Sequence, residues 1–215
     1  MPRLAKRQVV ATLLNQHGRT FSEEAGFQVK NRPQPLFRLL VLALLLSARI
    51  RSHIAVEAAR ALARRNWTTP DRMVDASWED RAHTLNEAGY ARYDERTSTM
   101  LAETSGLVLE RWHGDLRRLR DEAEREPTAE RRLLKECKGI GDVGVDIFCR
   151  EAQLIWDELF PFVDRRAGRA ARELDLGDSP KDLAALVPRH EFPRLVAALV
   201  RVELDNGYDD VRRGR

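Results

Sequence analysis

Two short stretches of this chain hold residues whose types and spacing suit a phosphate and a developing positive charge. The first is Lys138-Gly139-Ile140-Gly141, where one helical pattern ends and another begins at Asp142. A Gly-x-Gly turn between helices presents backbone N–H groups at a helix N-terminus, where an anion is favoured. Without a ligand the same turn is simply a tight connection between two helices. The second is Asp164, a lone acid between Val163 and a helix that opens with Arg165, Arg166 and Arg169. A fixed carboxylate there can stabilise positive charge or orient a water. It can also act as the N-cap of the helix that follows. The two roles are compatible, because capping holds the carboxylate in place.

The elements that position these residues read as helices nearly everywhere. Alternating β-branched patterns are absent, and Gly and Pro fall between periodic segments. Helices are expected over Leu4–His17, Leu36–Ala48, Ile54–Arg64 with Ser52 as a cap, and from Thr69-Pro70 onward. A loop is expected at Asn31–Pro35. Ser77 with Asp80 reads as the cap of a short helix ending near Gly89. A longer helix from Tyr93 to Trp112 ends on His113-Gly114, a C-cap signature. The charged stretch Arg117–Arg132 reads as a solvated helix or loop, with no role assigned to 117–127. A helical hairpin spans Thr128–Gln153. The helix after Asp164 is expected to end at Leu176-Gly177, Ser179-Pro180 starts another, and His190–Leu204 is the last. Leu36–Ala48 is apolar all round and is expected to be the most buried element.

Composition bounds the partners. The chain has 215 residues, 33% of them charged, with a formal net charge of +3. Arg makes up 32 of the 37 basic residues. Guanidinium groups suit phosphates and base edges, although a GC-rich genome produces the same excess. Cys137 and Cys149 sit in apolar helical contexts, which argues against a disulfide framework. The apolar run Leu39–Ala48 is too short to span a bilayer, and the N-terminus does not read as a secretory signal. A cytoplasmic protein that uses no membrane is expected. His83, His113 and His190 have no metal-site spacing.

Taken together, these residues resemble the helix-hairpin-helix DNA glycosylases of the endonuclease III superfamily, over about Pro35 to Leu176. Leu44–Ser52 looks like the family's first barrel helix and DNA-probing loop, Gly89–Leu116 like the helix pair before the hairpin, and Phe162–Arg166 like the segment of the catalytic aspartate. The resemblance implies an all-α fold of two helical lobes with the helix-hairpin-helix motif at the cleft. It divides the chain into a barrel lobe (36–137), the motif (128–153) and a second lobe (1–35 plus 154–215). It makes Asp164 the catalytic residue. Lys138, Gly139, Ile140 and Gly141 become the hairpin contact to DNA. Arg49 becomes the side chain that fills the gap left by a flipped base, with Arg51, Arg165, Arg166 and Arg169 on phosphates. His53, Tyr90 and Tyr93 are base-pocket candidates. Each of these has a plainer reading: solvated Arg and His side chains, and aromatics buried in the core.

The chain also departs from that pattern. Val143 stands where members with lyase activity carry a Schiff-base lysine, and Lys135 and Lys138 precede the loop. No Cys follows Cys149, so no iron–sulfur cluster is expected. Leu36–Ala48 lacks the Glu of adenine-removing members. Asp142 is expected to cap its own helix. The implied activity is monofunctional hydrolysis of an N-glycosidic bond after base flipping, with Asp164 stabilising an oxocarbenium-like state. On that view Asp164→Asn changes stability by at most about 1 kcal/mol, because Asn also caps helices well. The alternatives are a non-enzymatic DNA- or lesion-binding protein of the same fold and a protein–protein adaptor. The implied partner is damaged or mismatched double-stranded DNA, bound by a nucleoid-associated monomer. No cofactor is implied beyond a monovalent cation on the hairpin carbonyls. The substrate base is not legible, because pocket residues come from scattered positions.

Overall fold

The computed structural model describes residues 5–214, and every regular element among them is helical. In chain order the helices are α1 (Lys6–His17), α2 (Phe21–Glu24), α3 (Pro33–Leu46), α4 (Ser52–Arg64), α5 (Pro70–Asp75), α6 (Trp78–Leu85), α7 (Asp94–Trp112), α8 (Leu116–Glu122), α9 (Pro127–Leu134), α10 (Asp142–Ala152), α11 (Arg165–Glu173), α12 (Pro180–Ala184), α13 (Phe192–Asp205) and α14 (Tyr208–Arg213). Leu4, expected at the start of the first helix, lies outside the described residues. No helix among them is long and apolar enough to cross a membrane. They form two compact units. One runs from Ser22 to Phe148; the other joins the described residues up to Phe21 with those from Cys149 onward. The division falls inside α10.

The 22–148 unit is built on α3. Leu36, Phe37 and every residue from Leu39 to Leu45 are buried. Each fully buried Leu contributes about 1.5–3 kcal/mol. Pro33 and Pro35 belong to this helix and not to the expected loop. First-turn N–H groups have no intrahelical partner, so proline loses nothing there. Ser52 is the first residue of α4 rather than its cap; Arg51 precedes the helix with no side-chain cap. Ser77 does cap α6, accepting from the Asp80 N–H. α6 then runs into a π-type turn over Asn86–Tyr90, where Gly89 has φ 84°. That kink turns the Tyr90 ring into the core, and its hydroxyl donates to the Leu45 carbonyl at 2.9 Å. α7 ends with His113 in the left-handed conformation. The charged stretch after it is ordered as α8 and α9, because Leu116, Leu119 and Ala123 are buried under the charges.

The other unit packs α13 against α1 and α11. α11 offers the small residues Ala167, Ala170 and Ala171, and α13 fills the contact with Phe192, Leu195, Val196, Leu199 and Val202. Arg194 and Arg201 of α13 donate to the carbonyls of Gly18 and Arg19, fixing the end of α1. α11 stops at Glu173, earlier than expected. Ser179 forms a capping box with Asp182 at the start of α12. His190 lies in a single 3₁₀ turn before α13. α14 is a further helix beyond the expected last one.

Candidate nucleic-acid interface

The hairpin is α9, the turn through Gly139, and α10. Gly139 has φ 85°, a conformation that disfavours any side chain, and a Cβ added there would lie 2.7 Å from the Met100 Sδ. Ile140 anchors the turn with a buried side chain, and its N–H donates to the Cys137 carbonyl at 3.0 Å. The N–H groups of Gly139 and Gly141 are not used in this way, and both residues are exposed. A Cβ on Gly141 would meet nothing within 4 Å, so that face is open. Thr104 donates to the Lys138 carbonyl at 2.8 Å, tying the loop to α7.

Charge closes the hairpin from the side. Arg131 of α9 pairs with Asp146 of α10 at 2.6 Å. Lys135 pairs with Asp142 and holds its carboxyl below the usual carboxylate range. Asp142, expected to cap α10, is the first residue of that helix, and its carboxylate pairs with the lysine across the turn. Lys138 lies 3.9 Å from Glu103. Val143 is 49% exposed at the start of α10.

The C-terminal end of α3 meets this turn. A Cβ on Gly144 would fall 2.8 Å from the Ser47 Oγ, so α10 starts in close contact with α3. A cleft of about 350 Å³ opens there, lined by Ser47, Ala48, Arg49, Tyr90, Tyr93, Arg96, Thr97, Met100 and Gly139, with Leu44 at its base. Four of the sequence candidates, Arg49, Tyr90, Tyr93 and Gly139, are thus brought to one opening. Arg49 and Arg96 are exposed. Tyr93 is half-buried, edge-on to Tyr90 with centroids 6.4 Å apart, and Arg92 lies over its other side. Tyr90 is a wall of the cleft; burial pushes its hydroxyl up to about 12, so it stays protonated. Arg51 and His53 are exposed on the chain just beyond and do not line the cleft. Arg96 and Met100 were missed by sequence reasoning. Their only signal is the i, i+4 spacing of α7, which places them over the turn N-terminal to it.

In the other unit Asp164 is the N-cap of α11. Its Oδ1 accepts from the N–H groups of Arg166 and Ala167 at 2.8 and 3.1 Å. Its Oδ2 accepts from Arg150 Nη1 at 2.7 Å, and the side chains are 4% and 5% exposed for Arg150 and Asp164. The Arg150 guanidinium also lies 5.1 Å from the Phe21 ring centroid. Glu151 accepts from the Phe21 N–H at 2.7 Å. Arg150 was not singled out by the sequence; an arginine 14 residues from its partner leaves no periodic signal. Arg165 and Arg166 are exposed at the start of α11, and Arg169 pairs with Glu203 at 2.6 Å.

Comparison with protein-family models and with curated proteins gives no match. Comparison of folds does. The chain is similar to a trapped covalent intermediate of endonuclease III with DNA, an estranged-adenine complex, with a TM-score of 0.51 and 16% identity over 93% of this chain and 86% of that one. It is equally similar to a non-covalent endonuclease III–DNA complex, with the same TM-score, identity and coverage. At that identity the likeness is one of fold: this chain has an endonuclease III-like, all-helical architecture.

Proposed function

We propose that this protein binds duplex DNA through the hairpin turn and the cleft beside it, and hydrolyses the N-glycosidic bond of a damaged or mismatched base. One observation supports the reading above the rest: on an endonuclease III-like fold, Arg49, Tyr93 and the Gly139 turn converge on a single cleft. In this reading the free N–H groups of Gly139 and Gly141 take a phosphate, and Arg49 fills the gap left by an extruded nucleotide. Tyr93 supplies a face for stacking. Arg165 and Arg166 hold backbone phosphates. Asp164, fixed by its capping bonds, stabilises positive charge on the sugar of the extruded nucleotide. Val143 cannot form an imine, so strand cleavage through a covalent adduct is not part of the reaction. The carbonyls of Cys137, Lys138 and Gly141 each already accept a hydrogen bond, and the reading needs no cation there.

A second reading is favoured by a specific contact. The buried Arg150 ion pair takes up one oxygen of Asp164 and offsets its charge, which suits a protein that binds DNA without cutting it. Titration of a duplex carrying a fluorescent base analogue tests the shared part. The wild type is expected to bind with a strong salt dependence and to raise the analogue's emission as it leaves the stack. Binding by Arg49→Ala without that rise supports the assignment of Arg49; no binding by the wild type would remove both readings.

A further inference from the structure

The cleft above occupies the C-terminal end of α3, and the N-terminal end of the same helix carries a larger opening. It measures about 850 Å³ and is bordered by Phe27, Lys30, Arg32, Gln34 and Arg38. A polar hollow of about 410 Å³ adjoins it, bordered by Asn31, Arg117, Arg118, Arg120 and Arg125. The turn Lys30-Asn31-Arg32 supplies walls to both. Across the two openings seven Lys or Arg side chains stand against three acids. Those acids are already engaged: Asp115 takes Arg117 through two oxygens at 2.7 and 3.0 Å, Asp121 lies 3.9 Å from Arg125, and Glu23 has a partner of its own. Arg38 is spread over the Phe27 ring at 4.2 Å and donates to the Ala25 carbonyl. Lys30, Arg32 and Arg118 remain exposed and none closes an ion pair within 4 Å among the described residues, although Arg118 acts at longer range on Asp115.

We propose that this face holds the sugar–phosphate backbone of nucleic acid, as a second footprint separate from the Gly139 cleft. Guanidinium forks match phosphate oxygens two at a time. Two adjoining hollows along one basic stripe suit a chain of phosphates better than a single small anion. α3 has 14 residues and is about 20 Å long, so the two openings lie about 20 Å apart along its axis. The proposal rests on the DNA-binding part of the reading above and adds a footprint to it.

The test measures salt dependence on a duplex of about 30 base pairs, long enough to reach both footprints. In the double variant Arg32→Ala/Arg118→Ala the slope of log K against log salt should become shallower by about 2. Gly141→Ala is measured alongside to report on the hairpin. An unchanged slope overturns this footprint, and a deficit in Gly141→Ala then leaves the hairpin reading standing. A shallower slope in the double variant with wild-type binding by Gly141→Ala supports the footprint and overturns the hairpin. Vesicles containing phosphatidylserine are the control: vesicle binding lost in the double variant with DNA binding intact makes the face a lipid surface instead. Circular dichroism checks the fold of each variant.

Discussion

Asp164 makes three hydrogen bonds with two oxygens, two to N–H groups of its own helix and one to Arg150. The two capping bonds were legible in the sequence as Asp before a helix; the arginine was not. Its effect reverses the stability expectation of at most about 1 kcal/mol for Asp164→Asn. Asparagine keeps a cap but leaves the Arg150 guanidinium buried, uncompensated and with an Nε that has no hydrogen-bond partner. Breaking one side of a buried pair costs about 3–5 kcal/mol. Asp164→Asn is therefore expected to lower unfolding free energy by that amount in urea titration. Replacing both partners, Arg150→Met with Asp164→Asn, should recover part of the loss, because no buried charge is then left alone. Equal loss in the single and double variants would show that the pair is not coupled. A loss under 1 kcal/mol would return Asp164 to the role of a cap alone.

The helical hairpin separates its two glycines. Gly139 serves the fold through its left-handed φ and its contact with Met100, whereas a side chain at Gly141 would meet nothing within 4 Å. Gly139→Ala should cost about 1–3 kcal/mol of stability, the usual cost of a side chain in a strained backbone region. Gly141→Ala should leave the melting temperature unchanged and weaken binding to every duplex alike. If Gly141→Ala binds DNA as the wild type does, the turn is structural only. Another element offers a pH test. His17, in the last turn of α1, is held below its ordinary pKa by burial and then by the nearby Arg201, against the opposing pull of Asp205 and Asp210. The folded state thus binds its proton less readily than the unfolded chain. The stability that this contributes is full above about pH 6.5 and is lost as pH falls through the lower folded value. Melting temperature should drop between about pH 7 and pH 5, and His17→Gln should flatten that part of the curve. An identical curve for the variant would exclude His17 as the cause.

At the scale of the whole molecule, the strongest local signals were the ones read correctly. The apolar run of α3, the Ser77 and Ser179 caps and the His113-Gly114 stop each act within a few residues. The failures have equally physical causes. The break between α8 and α9 is made by Glu124 and Arg125 in left-handed conformations; Pro127 marks where α9 starts, but nothing in the sequence marks the two left-handed residues before it. The helix expected to end near Gly89 does stop there, but its last turn is π-type from Asn86, which no residue pattern marks, and α14 is only six residues long. The cleft is assembled from α3, the turn before α7, α7 itself and the hairpin. The resemblance nominated Arg49, Tyr90, Tyr93 and Gly139 separately but gave no reason to place Arg96 or Met100 beside them. The central claim is that these parts serve hydrolysis of a glycosidic bond. The direct measurement is free base released under single-turnover conditions from a panel of lesion and mismatch duplexes, with borohydride present in a parallel set. The wild type should release base from at least one duplex, form no trapped adduct and leave the strand intact until alkali is added. Folded Asp164→Asn should release that base about 10²–10⁴-fold more slowly while still binding the duplex. Binding without release from any duplex would make the protein a non-cleaving binder, and release by Asp164→Asn at the wild-type rate would contradict the mechanism outright.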